Sequence, residues 1–288
     1  MPHNILHTIE QNMTSFSKGQ KKIARYILEN YDKAAFVTAS KLGRLVEVSE
    51  STVVRFASEL GYDGYPSMQR ALQEMIRSKL TSTQRIEAAG DKLVGQDIVQ
   101  SVIQSDVEKL EMVAQEASRE EFDQVTDMLI GAKHTYILGA RSSGFVAGYL
   151  HFYMHLLSQN VTLVENGAAG VLFEQLFRIG PGDVLVAICF PRYSSITMQT
   201  VQFAKDRGAT VIAITDNKHS PLYQMADGAL LAPSEMISFV DSMVAPLSLV
   251  NALLVAIGHK MGNNATRTFE VLEDIWNEYG VFGKTNEE

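Results

Sequence analysis

Residues 38–60 read TASKLGRLVEVSESTVVRFASEL, and their apolar spacing is that of two short helices packed across a tight turn. Leu42 and Leu45 supply the inner side of the first helix and Val46 and Val48 line the turn. Val53, Phe56 and Leu60 recur at i, i+3 and i+7 in the second. Ser49 stands where the second helix needs an N-cap. With the apolar side spent on packing, Glu50, Ser51, Thr52 and Arg55 are left on the first turn and outer face. Hydroxyls and a cation so placed suit base edges in a DNA major groove. Ser40 and Lys41, at the start of the first helix, are candidates for the same contact. Glu47 occupies the turn position where glycine at positive φ is common, so a local departure is expected there.

Working outward, Ile23, Ile27 and Tyr31 share a helical face, and Tyr62-Asp63-Gly64-Tyr65-Pro66 is a turn signal after which Ser67 can open another helix. Residues 1–80 are therefore expected to form an all-α domain. Residues 81–95, TSTQRIEAAGDKLVG, are poor in large apolar groups and fit a linker. The third region, 96–288, begins with helical patterns over 96–131.

After Lys133 short β-branched runs alternate with segments of helical length. HTYILGA, VTLVE, DVLVAICF, ATVIAITD and GALLA are strand candidates. Helices are expected over 142–158, 168–178 and 195–207, with a short one after Ser220. Strands this apolar are buried on both faces, which implies a parallel sheet wrapped by helices. The closing segments, SMVAPLSLVNALLVAIGHK and ATRTFEVLEDIWNEYG, read as helices, the former apolar enough to be enclosed or to form an oligomer interface. The fold class is thus α/β with an all-α N-terminal domain.

At 288 residues, 46% apolar and 20% charged, the chain has material for two soluble domains. Its net charge of -8 hides an asymmetry. Residues 1–80 carry 11 Lys+Arg against 8 Asp+Glu, a balance of +3, leaving 14 against 25, or -11, for the remainder. Lys18, Lys21, Lys22, Lys41 and Arg44 are candidates for phosphate contacts, which set affinity without setting sequence. Cys189, the one cysteine, lies in an apolar run and reads as a buried thiol. The N-terminus lacks signal-peptide character and no apolar run approaches the length of a membrane span, so a cytoplasmic protein with no membrane partner is expected.

In an open parallel sheet the ligand lies outside the carboxyl ends of the strands, facing helix N-termini. Gly139-Ala140-Arg141-Ser142-Ser143-Gly144 follows the first strand and Phe190-Pro191-Arg192-Tyr193-Ser194-Ser195-Ile196-Thr197 the third. Each combines hydroxyls, a helix start and an arginine, which suits a phosphate. Arg141, Ser142, Ser143, Arg192, Ser194 and Thr197 are the candidate ligand residues, with Glu165 after the second strand as an acceptor for ligand hydroxyls. Serine at these positions also serves simply to cap its helix.

SESTVVRFASELGYDGYPSMQRAL resembles the DNA-binding signature of the RpiR/MurR family of bacterial transcription regulators, and GARSSGF resembles the first phosphate loop of the sugar isomerase (SIS) domains that family carries. The resemblance implies a helix-turn-helix bundle followed by a parallel-sheet α/β/α SIS sandwich. It further implies a regulator that senses a phosphosugar, with operator DNA, a small anionic ligand and a second copy of itself, as dimer or tetramer, for partners. The second SIS loop usually reads Ser-x-Ser-Gly-x-Thr; Arg192 replaces its first Ser and Ser195 its Gly, so a sugar acid is a further ligand class. The alternative is a cytoplasmic phosphosugar isomerase with an N-terminal helical assembly domain. That needs an acid/base pair, for which Glu165 and His219 are the candidates. Neither sits in a catalytic pattern, and no catalytic residue or cofactor is assigned. His151 and His155, at i and i+4, have no third zinc ligand evident and read as packing.

Overall fold

The structure is a computed structural model and describes residues 5–79, 82–83, 85–86, 95, 97–165, 167–234 and 238–282. Most of the expected linker, 81–95, lies outside the described residues. The chain divides into two compact units, Met1–Ala88 and Ala89–Glu288.

In the first unit α1 (Ile5–Gln11), α2 (Lys18–Glu29), α3 (Tyr31–Ala34), α4 (Ala39–Leu45), α5 (Glu50–Glu59) and α6 (Gly64–Lys79) enclose a core that includes Ile23, Ile27, Leu42, Val53, Phe56 and Met68. Their starts are chemically marked. Ser17 and Gln20 form a capping box on α2, Thr38 caps α4 by accepting from Lys41 N, and Ser49 caps α5 by accepting from Thr52 N. The Tyr65 hydroxyl, on α6, donates to Val37 O at 2.7 Å, and its burial pushes its pKa to about 12.

Two expectations are corrected here. Leu45 is half exposed, because Leu42 and Val46, one turn apart at i and i+4, take the inner face of α4 together with Ala39 and leave Leu45 about 100° away. Helix α6 begins at Gly64 rather than Ser67, since proline is tolerated in a first turn and Gly64 supplies the entry at φ +76°.

The second unit opens with α7 (Ile98–Glu116) and α8 (Arg119–Ile130). It continues β1 (Thr135–Gly139), α9 (Ser143–Leu157), β2 (Val161–Val164), α10 (Ala169–Leu176), β3 (Val184–Ile188), α11 (Ser195–Asp206), β4 (Thr210–Thr215) and β5 (Gly228–Leu231). It closes with α12 (Val244–Met261) and α13 (Asn263–Glu278). The sheet is all parallel, in the order β2-β1-β3-β4-β5. Side chains alternate across it. Ile137, Val186, Ile188 and Ile214 meet α8, α9 and α12 on one face, while Leu138, Leu185, Ala187 and Val211 meet α10 and α11 on the other. The central strands are buried throughout, whereas the edge strands β2 and β5 are only partly covered. The helix expected after Ser220 is a single 3-10 turn, Tyr223–Met225, with Ser220 Oγ accepting from Tyr223 N.

Among the described residues one helix, α12, is long and apolar enough to cross a membrane by length and composition. Its Ala245, Pro246, Leu249, Val250, Leu253 and Ile257 are buried, most of them in the sheet's core, which accounts for the apolar run. On α9 the rings of His151 and His155 stack on each other at 5.7 Å, with His151 partly buried and His155 exposed, so their packing is mutual and outside the core. Met154 and Leu150 take the inner face.

Candidate functional site

Two sites emerge, one on each unit. On the first, α5 packs through Val53, Phe56 and Ala57 and turns Glu50, Ser51, Arg55 and Ser58 to solvent. Ser49 Oγ lies 2.9 Å from Ser51 Oγ and 2.8 Å from Thr52 Oγ1, a hydroxyl cluster at the positive end of the helix. Arg55 folds back, its Nε donating to Ser51 O at 3.3 Å. Lys41 and Arg44 are exposed on α4, Ser40 is half-buried, and Lys18 and Lys22 are exposed on α2 with Lys21 half-buried.

The turn between α4 and α5 is built by close approach. Val48 N donates to Gly43 O at 2.8 Å, and a Cβ on Gly43 would lie 2.8 Å from Val48 O, so only glycine lets the turn lie against α4. The departure expected at Glu47 is not found: it adopts φ +56°, the left-handed conformation that glycine commonly supplies at this position, and its carboxylate pairs with Lys22 Nζ at 3.1 Å.

On the second unit, strand order decides the site. β1 and β3 are neighbours, but the chain leaves β1 through α9 on one face and β3 through α11 on the other. The loops after these two strands therefore open onto a shared crevice at the carboxyl edge, the switch point of the sheet. Gly139 makes the first loop possible. A Cβ there would stand 2.4 Å from Ser143 O and 2.9 Å from Ala147 Cβ, so the strand end and the first turn of α9 touch through glycine alone.

The loops share a further feature. Arg141 at φ +55° and Arg192 at φ +67° are, with Glu47, the non-glycine residues at positive φ among the described residues. Such conformations persist where the surroundings hold them, and they cluster at ligand clamps. Both arginines are exposed. Ser142 is exposed and its hydroxyl makes no cap hydrogen bond, so the capping role does not account for it, while Ser143 is buried behind it.

Ser194 does cap, accepting from Thr197 N at 3.4 Å, and its own N–H donates to Cys189 Sγ at 3.3 Å. Thr197 is buried, and its Oγ1 makes no well-formed hydrogen bond among the described residues, only a weak interaction with the Cys189 thiol. A polar ligand or a water would satisfy that hydroxyl more fully. Burial raises the Cys189 thiol pKa, and the Asp216 charge adds to the rise against the opposing Ser194 N–H and Thr197 hydroxyl.

With that geometry in place, the comparisons are specific. The model of the rpiR-family helix-turn-helix domain matches residues 3–79, and that of the SIS domain matches residues 128–256. The chain belongs to the RpiR family of helix-turn-helix regulators. An uncharacterized HTH-type transcriptional regulator from Caldanaerobacter subterraneus is 23% identical over 94% of this chain and 96% of its own. The Vibrio vulnificus NanR protein complexed with ManNAc-6P is 23% identical, with a TM-score of 0.60 over 98% of this chain and 100% of its own. The sugar isomerase domain of the Sphaerobacter thermophilus RpiR transcription factor is 24% identical, with a TM-score of 0.59 over 62% of this chain and 99% of its own. In this RpiR-family chain the fold is a helical N-terminal region followed by a SIS sheet with its helices, and the Sphaerobacter structure corresponds to the sugar isomerase part alone.

The remaining sequence candidates stand on the loops after other strands of the same sheet. Glu165 ends β2 with its side chain exposed, its backbone clasped by Gln175, whose Oε1 accepts from Glu165 N at 2.8 Å. His219 is exposed in the loop after β4. No group of three metal-ligating side chains occurs among the described residues. Tyr193 and Asp216, joined at 2.8 Å, escaped the sequence reading. Asp216 is 23 residues from its partner, and nothing local to ITDNK marks it.

Proposed function

We propose that this RpiR-family chain is a ligand-responsive DNA-binding regulator, not an enzyme. Its SIS unit senses a phosphosugar or a related anionic carbohydrate and modulates the grip of the helix-turn-helix on operator DNA. The observation that carries the ligand half is the meeting, at the β1/β3 switch point, of two loops with left-handed arginines, exposed Ser142 and a Thr197 hydroxyl held only weakly by the Cys189 thiol. Arg141, Ser142, Ser143, Arg192, Ser194 and Thr197 would receive the anion, and Glu165 the sugar hydroxyls. ManNAc-6P in the Vibrio NanR structure supports this class of ligand. Turnover is disfavoured because Glu165 and His219 are both exposed and sit in loops after different strands.

For the DNA half, Ser40, Lys41, Ser49, Glu50, Ser51, Thr52 and Arg55 form the contacting face, with a division into reader (1–80), linker (81–95) and sensor (96–288). A cytoplasmic homodimer or homotetramer presents paired recognition helices. Ligand acts by its differential affinity for two arrangements of that assembly, changing the spacing offered to two half-sites. The test is retardation of the protein's own upstream DNA across a salt series. Thr52→Ala with Arg55→Ala should weaken binding at least tenfold, as loss of base contacts worth about 1–3 kcal/mol each requires. Equal retardation by variant and wild type removes α5 as the reading helix.

A further inference from the structure

The second anion loop is held by a carboxylate that it does not itself contain. Asp216 follows β4. Its Oδ1 accepts the Tyr193 hydroxyl at 2.8 Å and its Oδ2 accepts Asn217 Nδ2 at 2.7 Å, with its own backbone N–H as a third donor. Thr215 Oγ1 lies 3.1 Å from Oδ1, but its single proton goes to the nearer Cys189 O. Each carboxylate oxygen is thus engaged by a side chain of the protein itself. No cation pairs with it among the described residues, and burial raises its pKa against the pull of these donors. That bond from Thr215 Oγ1 to Cys189 O is 2.8 Å long, and Ser194 N donates to Cys189 Sγ. The loop is thus tied to the ends of β3 and β4 at its start, at Tyr193 and at the cap of α11. Between these ties stands Arg192 at φ +67°, a conformation unfavourable to any residue with a Cβ unless its neighbours impose it.

We propose that Tyr193 and Asp216 form a latch that sets the second anion loop. They are positioning residues, not ligand contacts. With the phenol on Asp216, Arg192 stays left-handed, and Ser194, Thr197 and the first amides of α11 stay aligned on the anion. With the latch cut, the loop relaxes and anion affinity falls although no ligand contact has been removed. The proposal rests on the reading of these loops as the effector's anion site.

The experiment uses the full chain, with inorganic phosphate as probe and potassium chloride of equal ionic strength as control. Apparent Kd is taken from the phosphate-dependent shift of thermal unfolding. Tyr193→Phe keeps the ring and loses the donor. It should weaken phosphate about tenfold, as does loss of one hydrogen bond to a charged group. Asp216→Asn keeps an acceptor for the phenol and should stay within about threefold of wild type, whereas Asp216→Ala should match Tyr193→Phe. The double variant Tyr193→Phe with Asp216→Ala should be no weaker than either single one, because one interaction is lost once. Wild-type affinity in Tyr193→Phe overturns the latch, even where its unfolding temperature drops, and so do losses that add in the double variant. A different failure reaches the site itself. If Ser142→Ala with Thr197→Val binds phosphate as wild type does, or wild type shows no phosphate-specific shift, the loops are not the anion site and the latch falls with them.

Discussion

Replacing Gly139 by alanine puts a methyl group into the seam between β1 and α9. Its Cβ would lie 2.4 Å from Ser143 O and 2.7 Å from Ser143 C. Ordinary contact between such atoms is about 3.5 Å, so the first turn of α9 must retreat by about 1 Å. The obstructing atoms are backbone and cannot rotate away. Overpacking of this kind costs about 1–3 kcal/mol, and rigid neighbours place Gly139→Ala at the upper end. For a unit of this size each kcal/mol moves the midpoint by about 2–4 °C, so a fall of about 5–10 °C is expected. Gly170 provides the opposite sign. It sits in α10 with nothing within 4 Å of a built Cβ, and Gly170→Ala should gain about 0.5 kcal/mol of helix propensity. Calorimetry of the full chain, following the transition of the sheet unit, reads both. An unchanged or raised midpoint for Gly139→Ala would show that the strand end and α9 are not in the contact described, and with it the geometry of the first anion loop would fail.

Two other outcomes follow from local chemistry. Glu47→Gly releases the left-handed strain of about 1 kcal/mol and gives up an exposed ion pair worth about 0–1 kcal/mol, leaving stability little changed. It also frees Lys22 for a phosphate, so the slope of log affinity against log salt should steepen by about one; an unaltered slope excludes Lys22 from the DNA backbone. Cys189 is buried with a raised thiol pKa, so at neutral pH less of it is thiolate than of a free cysteine. A thiol reagent should label it more than about tenfold slower in the native protein than in denaturant, and equal rates would refute its burial under the second loop.

The order of helices and strands was legible in the chain because hydrophobic period is a local property. Spacing of 3.6 marked α2, α4 and α5, unbroken apolar runs marked β1, β3 and β4, and Ser49 announced the start of α5 through its hydroxyl, the chemistry by which Ser17 and Thr38 cap α2 and α4 in the structure. Glu47 shows the same, since two helices that close on each other demand a left-handed residue between them whatever its type. Periodicity was less reliable where two neighbouring positions compete for one face, as Leu45 lost to Val46.

The sequence by itself determined two domains of different grammar and the residues of both anion loops, because capping, turn chemistry and burial act over a few residues. Only the tertiary structure decided that β1 and β3 lie side by side, which brings loops some fifty residues apart in the chain to one crevice. It alone set Tyr193 against Asp216 and buried the Thr197 hydroxyl beside the Cys189 thiol. Strand pairing and cross-loop hydrogen bonds depend on the register of distant segments, and no local pattern of residue types encodes that register.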